Sequence, residues 1–547
     1  MHITDLLQRM PLGARCALAA LLMFTAPGAA RAEPSPDAAL AQALRASLSA
    51  PVVACSESRL DPRPLAVFYQ PANPRPLWVS PRGPGARARA LRAALRAAGQ
   101  QGLEPARYRL ADIEAHWRDH SPVGQACLDL YLTNAFKRYS LDLRTGQVGP
   151  READPSWYPP VPRFDPAAAL KAAGDGDFDA FIDALAPSHP AYRRLREALA
   201  HYEGIAKEGG WPTLAPGPEL APGKAPAAPE QIVQLRARLR AEGDLSGFSL
   251  GDSETYDAAL ADAVRRFQQR HGLLADAIVG PRTRAALNVP VAARIAQIRR
   301  TLERWRWLPH DLGERYILVN SAGFELTVVE HERTVLDMRA IMGALEQPTP
   351  SFSAKLRSLI INPYWNVPAR IAREELLPLQ LRDPRYFATH AFQVLDLRNG
   401  EQIDPARVDW ARVDADSFGF RLRQEPGPKN SLGQLSFVLP NQFEIFLHDT
   451  PEKALFARDT RTFSHGCIRI EHPEALAQYA LRGLDGWNEE RIRSEVDSLQ
   501  QETLNLPEPI PVYVLYLTSW VDDAGLVNFR DDVYGREDVL AWYYPDR

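Results

Sequence analysis

One short stretch of this sequence decides how its fold and its chemistry are interpreted: Phe463-Ser464-His465-Gly466-Cys467-Ile468-Arg469-Ile470. It places a single thiol beside a glycine, a histidine and an arginine. A second histidine, His448, lies upstream at the end of an alternating run formed by Phe443, Ile445 and Leu447. A nucleophile, a base and an anion-binding side chain are the groups that acyl transfer through a thioester requires.

Cys467 is the candidate nucleophile. A thiol attacks as the thiolate, so it needs a nearby histidine or aligned backbone N–H groups. Gly466 lets the backbone turn sharply and come close to a substrate, and the N–H groups around Gly466 and Cys467 could stabilise the oxyanion of a tetrahedral intermediate. A lone cysteine can also be a buried structural residue, but the flanking residues and His448 favour the nucleophile.

His448 is the candidate base. It ends a predicted strand over residues 442–448 and precedes the turn signal Asp449-Thr450-Pro451. A histidine at a strand end that faces the thiol loop is suited to proton transfer; the alternative is a hydrogen-bonded core histidine. His465 is expected to orient the loop or to line the oxyanion hole, and the two histidines could exchange roles.

The remaining polar side chains of this region are candidates for substrate binding. Arg469 would hold a substrate carboxylate, because a guanidinium places two donors opposite two oxygens; the alternative is an ion pair within the loop. Arg461 is a weaker candidate for the same role, and a structural role fits it better. Ser464 could simply form hydrogen bonds within the loop.

The string from His448 to Arg469 resembles the signature of the L,D-transpeptidase catalytic domain. The resemblance implies a cysteine enzyme of the bacterial cell wall, which forms an acyl-enzyme at the third residue of a peptidoglycan tetrapeptide and releases the terminal D-Ala. It then transfers the acyl group to a side-chain amine of another stem. By motif, Cys467 is the nucleophile, His448 the base and Arg469 a substrate-site residue. The backbone carbonyl of Asp449 would orient His448.

Other segments are similar to the large periplasmic members that form 3→3 cross-links: 303–309, 362–368, 426–430 and 529–535. Tyr364 and Trp365 could line the donor channel, with core packing as an equal alternative. Residues 370–430 are polar, charged and rich in proline, and they match the cap inserted into those enzymes. The helical N-terminal region is similar to their scaffold domain through Leu77-Trp78 and residues 139–150.

Residues 231–290 resemble the small three-helix peptidoglycan-binding domain, through segments such as Phe267-Gln268 and Gly280-Pro281. The family usually has Asp-Gly where this chain has Asp276-Ala277. If this position needs a left-handed backbone, the alanine would be strained. The fold prediction is unaffected. The domain is expected to bind glycan, and the alternative is that it serves only as a spacer.

We therefore predict a multidomain α+β protein. Its parts are a mostly antiparallel β catalytic domain with an inserted cap, a three-helix peptidoglycan-binding-like bundle and a helical N-terminal scaffold. The predicted boundaries are a signal peptide at 1–32, the scaffold at 33–210, a Pro-rich linker at 211–230, the bundle at 231–290, a connecting helix at 291–314, the catalytic domain at 315–520 with its cap at 370–430, and a C-terminal extension at 521–547.

The N-terminus resembles a secretory signal, with Arg9 and Arg15 before an apolar core and Ala30-Arg31-Ala32 as a cleavage site. Export to the periplasm is therefore expected, with a membrane anchor as the alternative, and no other run is long and apolar enough to cross a membrane.

Cleavage would leave Cys55, Cys127 and Cys467. The first two could form a disulfide or stay unpaired, and either outcome is equally compatible with the sequence.

The predicted partners are peptidoglycan stem peptides and glycan, together with other cell-wall synthesis proteins. A net charge of -4 gives no reason to expect a nucleic-acid partner. The sequence contains no metal-binding motif, so neither a metal nor an organic cofactor is expected. Two alternatives to cross-linking remain: the same acyl-enzyme could serve hydrolysis or protein anchoring, or the chain could be a wall-binding scaffold without catalysis.

Overall fold

The computed structural model describes residues 35–55, 59–69, 73–174, 176–223, 229–246, 254–414 and 418–545. The predicted signal peptide lies outside the described residues. The chain divides into two compact units. The first contains the residues up to Arg89 together with Ala111–Asn134, and the second contains Ala90–Leu110 together with the chain from Ala135 onwards.

The first unit is built from helices and short hairpins. Its elements are α1 (Pro36–Ser49), β1 (Val53–Ala54), β2 (Arg59–Leu60), β3 (Val79–Ser80), β4 (Gly83–Pro84) and α3 (Leu110–His116), with parts of α2 (Ala86–Arg96) and α4 (Pro122–Thr145). A disulfide joins Cys55 to Cys127 with their Cα atoms 5.8 Å apart. This observation settles the choice between pairing and free thiols that the sequence left open.

Buried Asp129 holds the segment that resembles the scaffold domain. Its carboxylate accepts hydrogen bonds from the backbone N–H groups of Leu77 (2.9 Å) and Trp78 (2.8 Å) and from the hydroxyl of Tyr69 (2.7 Å). Burial raises the pKa of the Asp129 carboxyl to about 6, although these donors act in the opposite direction. The Leu77-Trp78 pair is therefore fixed by its backbone on the helix α4.

The second unit begins with further helices of the predicted scaffold. They are α5 (Pro150–Ala153), α6 (Pro166–Ala173), α7 (Phe178–Asp183) and α8 (Pro190–Lys207), with 3-10 turns at Ala98–Gln101 and Pro105–Tyr108. Pro150, Pro166 and Pro190 each occupy the first turn of a helix, where the missing N–H has no intrahelical partner to lose. The helical character predicted for this region is confirmed.

Three helices form the predicted bundle: α9 (Pro229–Ala241), α10 (Ala258–Arg270) and α11 (Pro281–Leu287). Their apolar faces share one core that includes Leu235, Val264 and Phe267. Ala277 is fully buried in this core at φ 62°, and its N–H donates to Gln268 Oε1 at 2.9 Å. The left-handed backbone suspected from the sequence is therefore present, and alanine occupies it at a cost in strain.

The catalytic part is a nine-stranded mixed sheet in the order β15-β7-β16-β14-β13-β8-β17-β5-β6. Because β6 also pairs with β7, the sheet closes on itself and β15 lies outside the closed part. Most pairs are antiparallel, whereas β14–β16, β15–β7 and β17–β5 are parallel. The bounds are β5 (Arg315–Asn320), β6 (Glu325–Glu330), β7 (Arg333–Gly343), β8 (Phe352–Ile361), β13 (Leu435–Val438), β14 (Leu447–His448), β15 (Thr462–Ser464), β16 (Ile468–Ile470) and β17 (Glu502–Leu515).

The cap is a small domain inserted between β8 and β13. A four-stranded sheet in the order β11-β10-β12-β9 packs with short helices around its own apolar core. The strands are β9 (Trp365–Asn366), β10 (Phe392–Asp396), β11 (Gln402–Ile403) and β12 (Phe420–Gln424); the helices are α13 (Ala369–Ile371), a π-helical turn (Ala372–Leu376), α14 (Leu377–Arg382) and α15 (Tyr386–Thr389). The predicted insertion is confirmed, and its sheet begins at β9, before residue 370.

The remaining elements frame the catalytic sheet. Helix α12 (Val291–Arg306) precedes it, α16 (Pro473–Ala480) and α17 (Glu489–Asp497) follow the catalytic loop, and β18 (Ser519–Val521), β19 (Val527–Phe529) and α18 (Asp538–Tyr543) end the chain. The predicted helix near Pro473 is confirmed. With these elements the predicted multidomain α+β fold, with its mostly antiparallel catalytic sheet, is also confirmed.

The predicted strand over 442–448 is wrong for most of its length, since only Leu447–His448 forms a ladder. The amide of Asn441 replaces the ladder hydrogen bonds: its Oδ1 accepts from Phe443 N (2.9 Å) and its Nδ2 donates to Ile445 O (2.6 Å). Glu444 takes φ 56° within this turn. An asparagine side chain that bonds nearby backbone competes with sheet pairing in this way. We call residues 441–446 the Asn441 turn.

Candidate active site

The catalytic loop joins β15 to β16 and is fixed by its own hydrogen bonds. Ser464 Oγ donates to the Cys467 carbonyl at 2.5 Å and accepts from Gly466 N at 3.2 Å. The Gly466 carbonyl accepts from Thr349 Oγ1 at 2.9 Å. Gly466 takes φ 109°, which side chains rarely adopt, although a Cβ there would meet no atom closer than 3.9 Å. Glycine is therefore required by the backbone conformation rather than by space.

Cys467 is partly exposed and lines a cleft of about 820 Å³. Its Sγ lies 3.9 Å from the carbonyl of Glu444 in the Asn441 turn. Burial raises the pKa of the thiol, and the backbone N–H of Phe446 and the charge of Arg469 offset part of this effect. The resting group is therefore the thiol rather than a preformed thiolate at neutral pH, so deprotonation needs a base.

His448 is buried on β14 and lines the same cleft. Its Nδ1 lies 2.5 Å from the carbonyl oxygen of Asp449. Because a carbonyl can only accept, Nδ1 carries the hydrogen and the lone pair of the neutral ring is on Nε2. Burial, followed by the charge of Arg469, lowers the pKa of His448 to about 4, so the ring is neutral at pH 7. A neutral imidazole with Nε2 unprotonated is the form that can accept a proton.

Arg469 is the register partner of His448 in the parallel pair β14–β16. Its Nη1 forms an ion pair with Glu452, whose side chain is 58% exposed. The guanidinium lines the cleft, and its buried Nε has no hydrogen-bond partner among the described residues. Both alternatives from the sequence therefore meet in one residue: Arg469 has a loop ion pair and also faces the cleft.

His465 is directed at the cap. Its Nε2 lies 2.8 Å from Glu375 Oε1, on the π-helical turn of the cap. The ring is thus engaged by a carboxylate in this conformation, which leaves the oxyanion role expected for it without support. An exchange of roles with His448 also lacks support, because His448 has the buried position and the carbonyl partner.

Tyr364 and Trp365 line the cleft, as the donor-channel prediction requires. Each also packs on the cap: the Arg423 guanidinium lies 4.8 Å above the Tyr364 ring, and the Trp365 ring centroid lies 6.2 Å from that of Phe392. Arg461, in contrast, is not brought into the cleft. It donates to the backbone carbonyls of Ala340, Arg458 and Phe324, at 3.1, 2.7 and 2.9 Å.

Several residues at the site were missed by sequence reasoning. Glu444 and Thr349 contribute a carbonyl and a hydroxyl to the thiol loop, and Glu375 reaches it from the cap. The scaffold also contributes, because Tyr158 packs its ring on Phe443 with centroids 4.5 Å apart. Only the asparagine at the start of the Asn441 turn carried a sequence signal, as a residue typical of turns.

Two negative observations apply to the described part of the chain. There, no cluster of at least three His, Cys, Asp or Glu side chains could hold a metal ion. None of the helices placed in those ranges is both long and apolar enough to cross a bilayer.

Three sequence families match this chain. Residues 314–493 match the "L,D-transpeptidase catalytic domain", residues 229–287 the "Putative peptidoglycan binding domain", and residues 63–199 the "Scaffold domain". A curated protein of Haemophilus influenzae, "Putative L,D-transpeptidase", is 35% identical over 219 residues, which covers 40% of this chain and 44% of that protein. The match therefore spans less than half the length of this relative.

Solved structures give only distant likenesses. The L,D-transpeptidase of Xylanimonas cellulosilytica (residues 123-326) is 16% identical, covering 55% of this chain and 100% of that one with a TM-score of 0.18. The L,D-transpeptidase of Stackebrandtia nassauensis is 12% identical, covering 56% and 96% with a TM-score of 0.22. Scores this low carry no argument. The site just described lies within residues 314–493, the part of the chain that matches the L,D-transpeptidase catalytic domain.

Proposed function

We propose that the protein is an exported cysteine L,D-transpeptidase that makes 3→3 cross-links in peptidoglycan. The observation that carries the proposal is that Cys467 and a neutral His448, whose Nδ1 is held by the Asp449 carbonyl, line the same cleft. The family of the catalytic domain and the match of residues 229–287 to a peptidoglycan-binding domain supply the substrate class.

In the first step His448 Nε2 accepts the thiol proton while Sγ attacks the carbonyl carbon of the third stem residue. The oxyanion of the tetrahedral intermediate is stabilised by backbone N–H groups of the catalytic loop. The C–N bond to the terminal D-Ala then breaks, and His448 returns the proton to the leaving amine. The products are a thioester on Cys467 and free D-Ala.

In the second step the neutral side-chain amine of another stem attacks the thioester carbonyl. His448 takes a proton from the attacking nitrogen, the C–S bond breaks, and the thiolate of Cys467 is reprotonated. One amide bond is broken and one is formed over the cycle, so no external energy source is needed. Arg469 would bind a stem carboxylate in exchange for exposed Glu452, and Tyr364 and Trp365 would line the donor side of the cleft.

Export to the periplasm is part of the proposal. The disulfide Cys55–Cys127 fits an oxidising compartment, where such bonds persist. The signal-like N-terminal sequence is the second argument. Fractionation of cells that express the chain, followed by N-terminal sequencing of the mature protein, tests both points. Uncleaved protein in the cytoplasmic fraction would contradict them.

The second candidate is a hydrolase or protein-anchoring enzyme that uses the same acyl-enzyme. It shares every residue of the first step and differs only in the acceptor, water or a protein lysine. The inserted cap and the match of residues 229–287 to a peptidoglycan-binding domain favour the cross-linking enzyme. A wall-binding scaffold without catalysis is disfavoured by the retained Cys467, His448 and Arg469.

The test incubates residues 33–547 with a disaccharide-tetrapeptide that carries meso-diaminopimelate and follows the products by mass spectrometry, with Cys467→Ala as the control. A cross-linked dimer that has lost one D-Ala, absent with the variant, is the expected result. Tripeptide without dimer would favour hydrolysis. If neither product forms, acylation by a carbapenem still tests the nucleophile, and a chain that stays unlabelled at Cys467 would leave only the scaffold interpretation.

A further inference from the structure

The cap touches the catalytic loop through a polar contact next to the thiol. His465 Nε2 and Glu375 Oε1 are 2.8 Å apart, and His465 lies two positions before Cys467. The two side chains are 39% and 41% exposed. The pair therefore links two separately built parts of the molecule, at a place that water can reach.

The cap is anchored to the catalytic domain at its base. Strand β9 pairs with β12 where the chain enters and leaves the cap. Asn430 Nδ2 closes this base by donating to the carbonyls of Pro363 and Glu425, both at 3.0 Å. The cap also has its own apolar core, with Leu376 among its members. It is thus a body with a fixed base, and Glu375 lies beyond that base, on the wall of the cleft.

Glu374 and Glu375 are adjacent on the cap, and Glu375 is the one that contacts the catalytic loop. Its neighbour Glu374 forms an ion pair with Arg370 at 2.9 Å, whereas Arg370 is 3.9 Å from Glu375. Glu375, together with Ile371 and Leu376, lines the cleft that contains the thiol. The two adjacent glutamates therefore have different partners, and Glu374 provides a matched control.

We propose that Glu375 is a positioning residue, which holds the cap over the thiol cleft by binding His465 and thereby sets the catalytic loop. This inference rests on the proposed function only for its consequence in catalysis. The catalytic loop is then held from two sides, by Ser464 from within and by Glu375 from the cap. Donor binding and cap closure are coupled, because the wall that carries Glu375 is also a wall of the cleft.

The pair is suited to repeated opening. A polar contact this exposed stabilises one arrangement only slightly, so its loss should change the ratio of closed to open cap by about fivefold at most. A stem peptide can therefore displace the cap without a large barrier. A fully buried pair would instead lock it.

The test measures access to Cys467 with two reagents, so that it does not depend on any enzymatic activity. Iodoacetamide is small and fluorescein maleimide is bulky, so the ratio of the maleimide rate to the iodoacetamide rate should rise as the cap opens. Glu375→Ala should raise this ratio about two- to fivefold. Glu374→Ala should leave it unchanged, and Cys467→Ala gives the background. Thermal unfolding of each variant checks that it is folded.

A double-mutant cycle decides whether Glu375 acts through His465. His465→Ala should raise the ratio as Glu375→Ala does, and the double variant should match either single variant, because both remove the same contact. Multiplicative effects, or a ratio that does not move in Glu375→Ala, would overturn the inference. If Glu375→Ala raises the ratio while the wild type makes no cross-links, the proposed function fails and the cap contact stands.

If the wild type does make cross-links, a second readout applies to catalysis. Glu375→Ala should then lower kcat severalfold more than Glu374→Ala does, and Glu375→Gln should recover part of the loss, because an amide still accepts a hydrogen bond from the ring. Equal kcat values for the two alanine variants would contradict the positioning role.

Discussion

The cleft around Cys467 and the helix α12 both collect charged and aromatic side chains, and both belong to segments that resemble the same enzymes. They differ in how their polar atoms are used. In the cleft, His448 is a neutral ring whose Nδ1 is held by a backbone carbonyl, and the ion-pair partner of Arg469, Glu452, is 58% exposed. In α12 both partners of the ion pairs are buried: Glu303 with Arg306, and Glu537 with Arg304.

Glu303 is the clearest example of a buried charge in α12. It is completely buried, and its carboxylate accepts from Gln147 N (2.5 Å), Val148 N (2.9 Å), Arg306 Nη1 (2.7 Å) and Tyr544 Oη (2.8 Å). Two arginines of the helix also have buried partners, since Arg304 binds Glu537 and Arg306 binds the carbonyl of Gln101. Charges satisfied in this way hold the scaffold segment and the C-terminal residues on the helix. These charges are structural. In the cleft, in contrast, the partner of Arg469 is exposed, so a ligand can replace it.

The comparison predicts that Cys467→Ala separates activity from stability. Cross-linking should fall by at least about 10³-fold, because the variant has no nucleophile and the remaining groups cannot form the thioester. The free energy of unfolding should change by less than about 1 kcal/mol, since the side chain is small and partly exposed. Dimer formation by mass spectrometry and denaturant unfolding measure the two quantities. A variant that unfolds readily would show that the cleft, too, is structural.

Glu303→Gln should lower stability and leave activity unchanged. It leaves Arg306 as an uncompensated buried cation, and the free energy of unfolding should fall by about 3–5 kcal/mol. Activity per folded molecule should persist at low temperature, because Glu303 does not line the cleft. Glu508→Gln is the control, since this residue is 80% exposed in its pair with Arg315 and should change stability by less than about 0.5 kcal/mol. If the two variants are equally stable, burial of the ion pairs is not what distinguishes α12 from the cleft.

The same contrast explains which parts of the molecule were predictable. Helices with clear periodicity, the inserted cap and the cysteine loop were identified from local patterns. The strand over 442–448 was wrongly predicted, because the alternation of Phe443, Ile445 and Leu447 indicated a ladder, while a single amide at Asn441 redirected the backbone. Contacts such as Glu375 with His465, or Tyr158 with Phe443, join residues far apart in the chain. No local pattern encodes such contacts, so the partner of His465 on the cap could not be predicted.

His448 should make the stability of the protein depend on pH at mildly acidic values. Its pKa is lowered from 6.5 to about 4 by burial, so between these values the unfolded chain binds more protons than the folded chain. Stability therefore rises with pH through this window, and it is lost as the pH falls towards 4. The contribution is about 3 kcal/mol. Urea unfolding of the wild type and of His448→Gln at a series of pH values measures it as the difference between the two slopes. Parallel curves would mean that His448 is not buried as a neutral ring.

The pH dependence of alkylation distinguishes a neutral Cys467 thiol from a thiolate paired with protonated His448. Since burial raises the pKa of Cys467, its alkylation by iodoacetamide should rise about tenfold per pH unit from about pH 7 to pH 9 without a plateau. A thiolate stabilised by a protonated histidine would instead react at a nearly constant rate across this range. N-acetylcysteine, alkylated under the same conditions, should level off earlier than the protein. A plateau near neutral pH would mean that Cys467 and His448 form an ion pair at rest, and that the cleft, like α12, pairs its charges before any ligand arrives. A continuous rise would place the proton on sulfur until substrate binds, which is the arrangement that requires His448 as a general base.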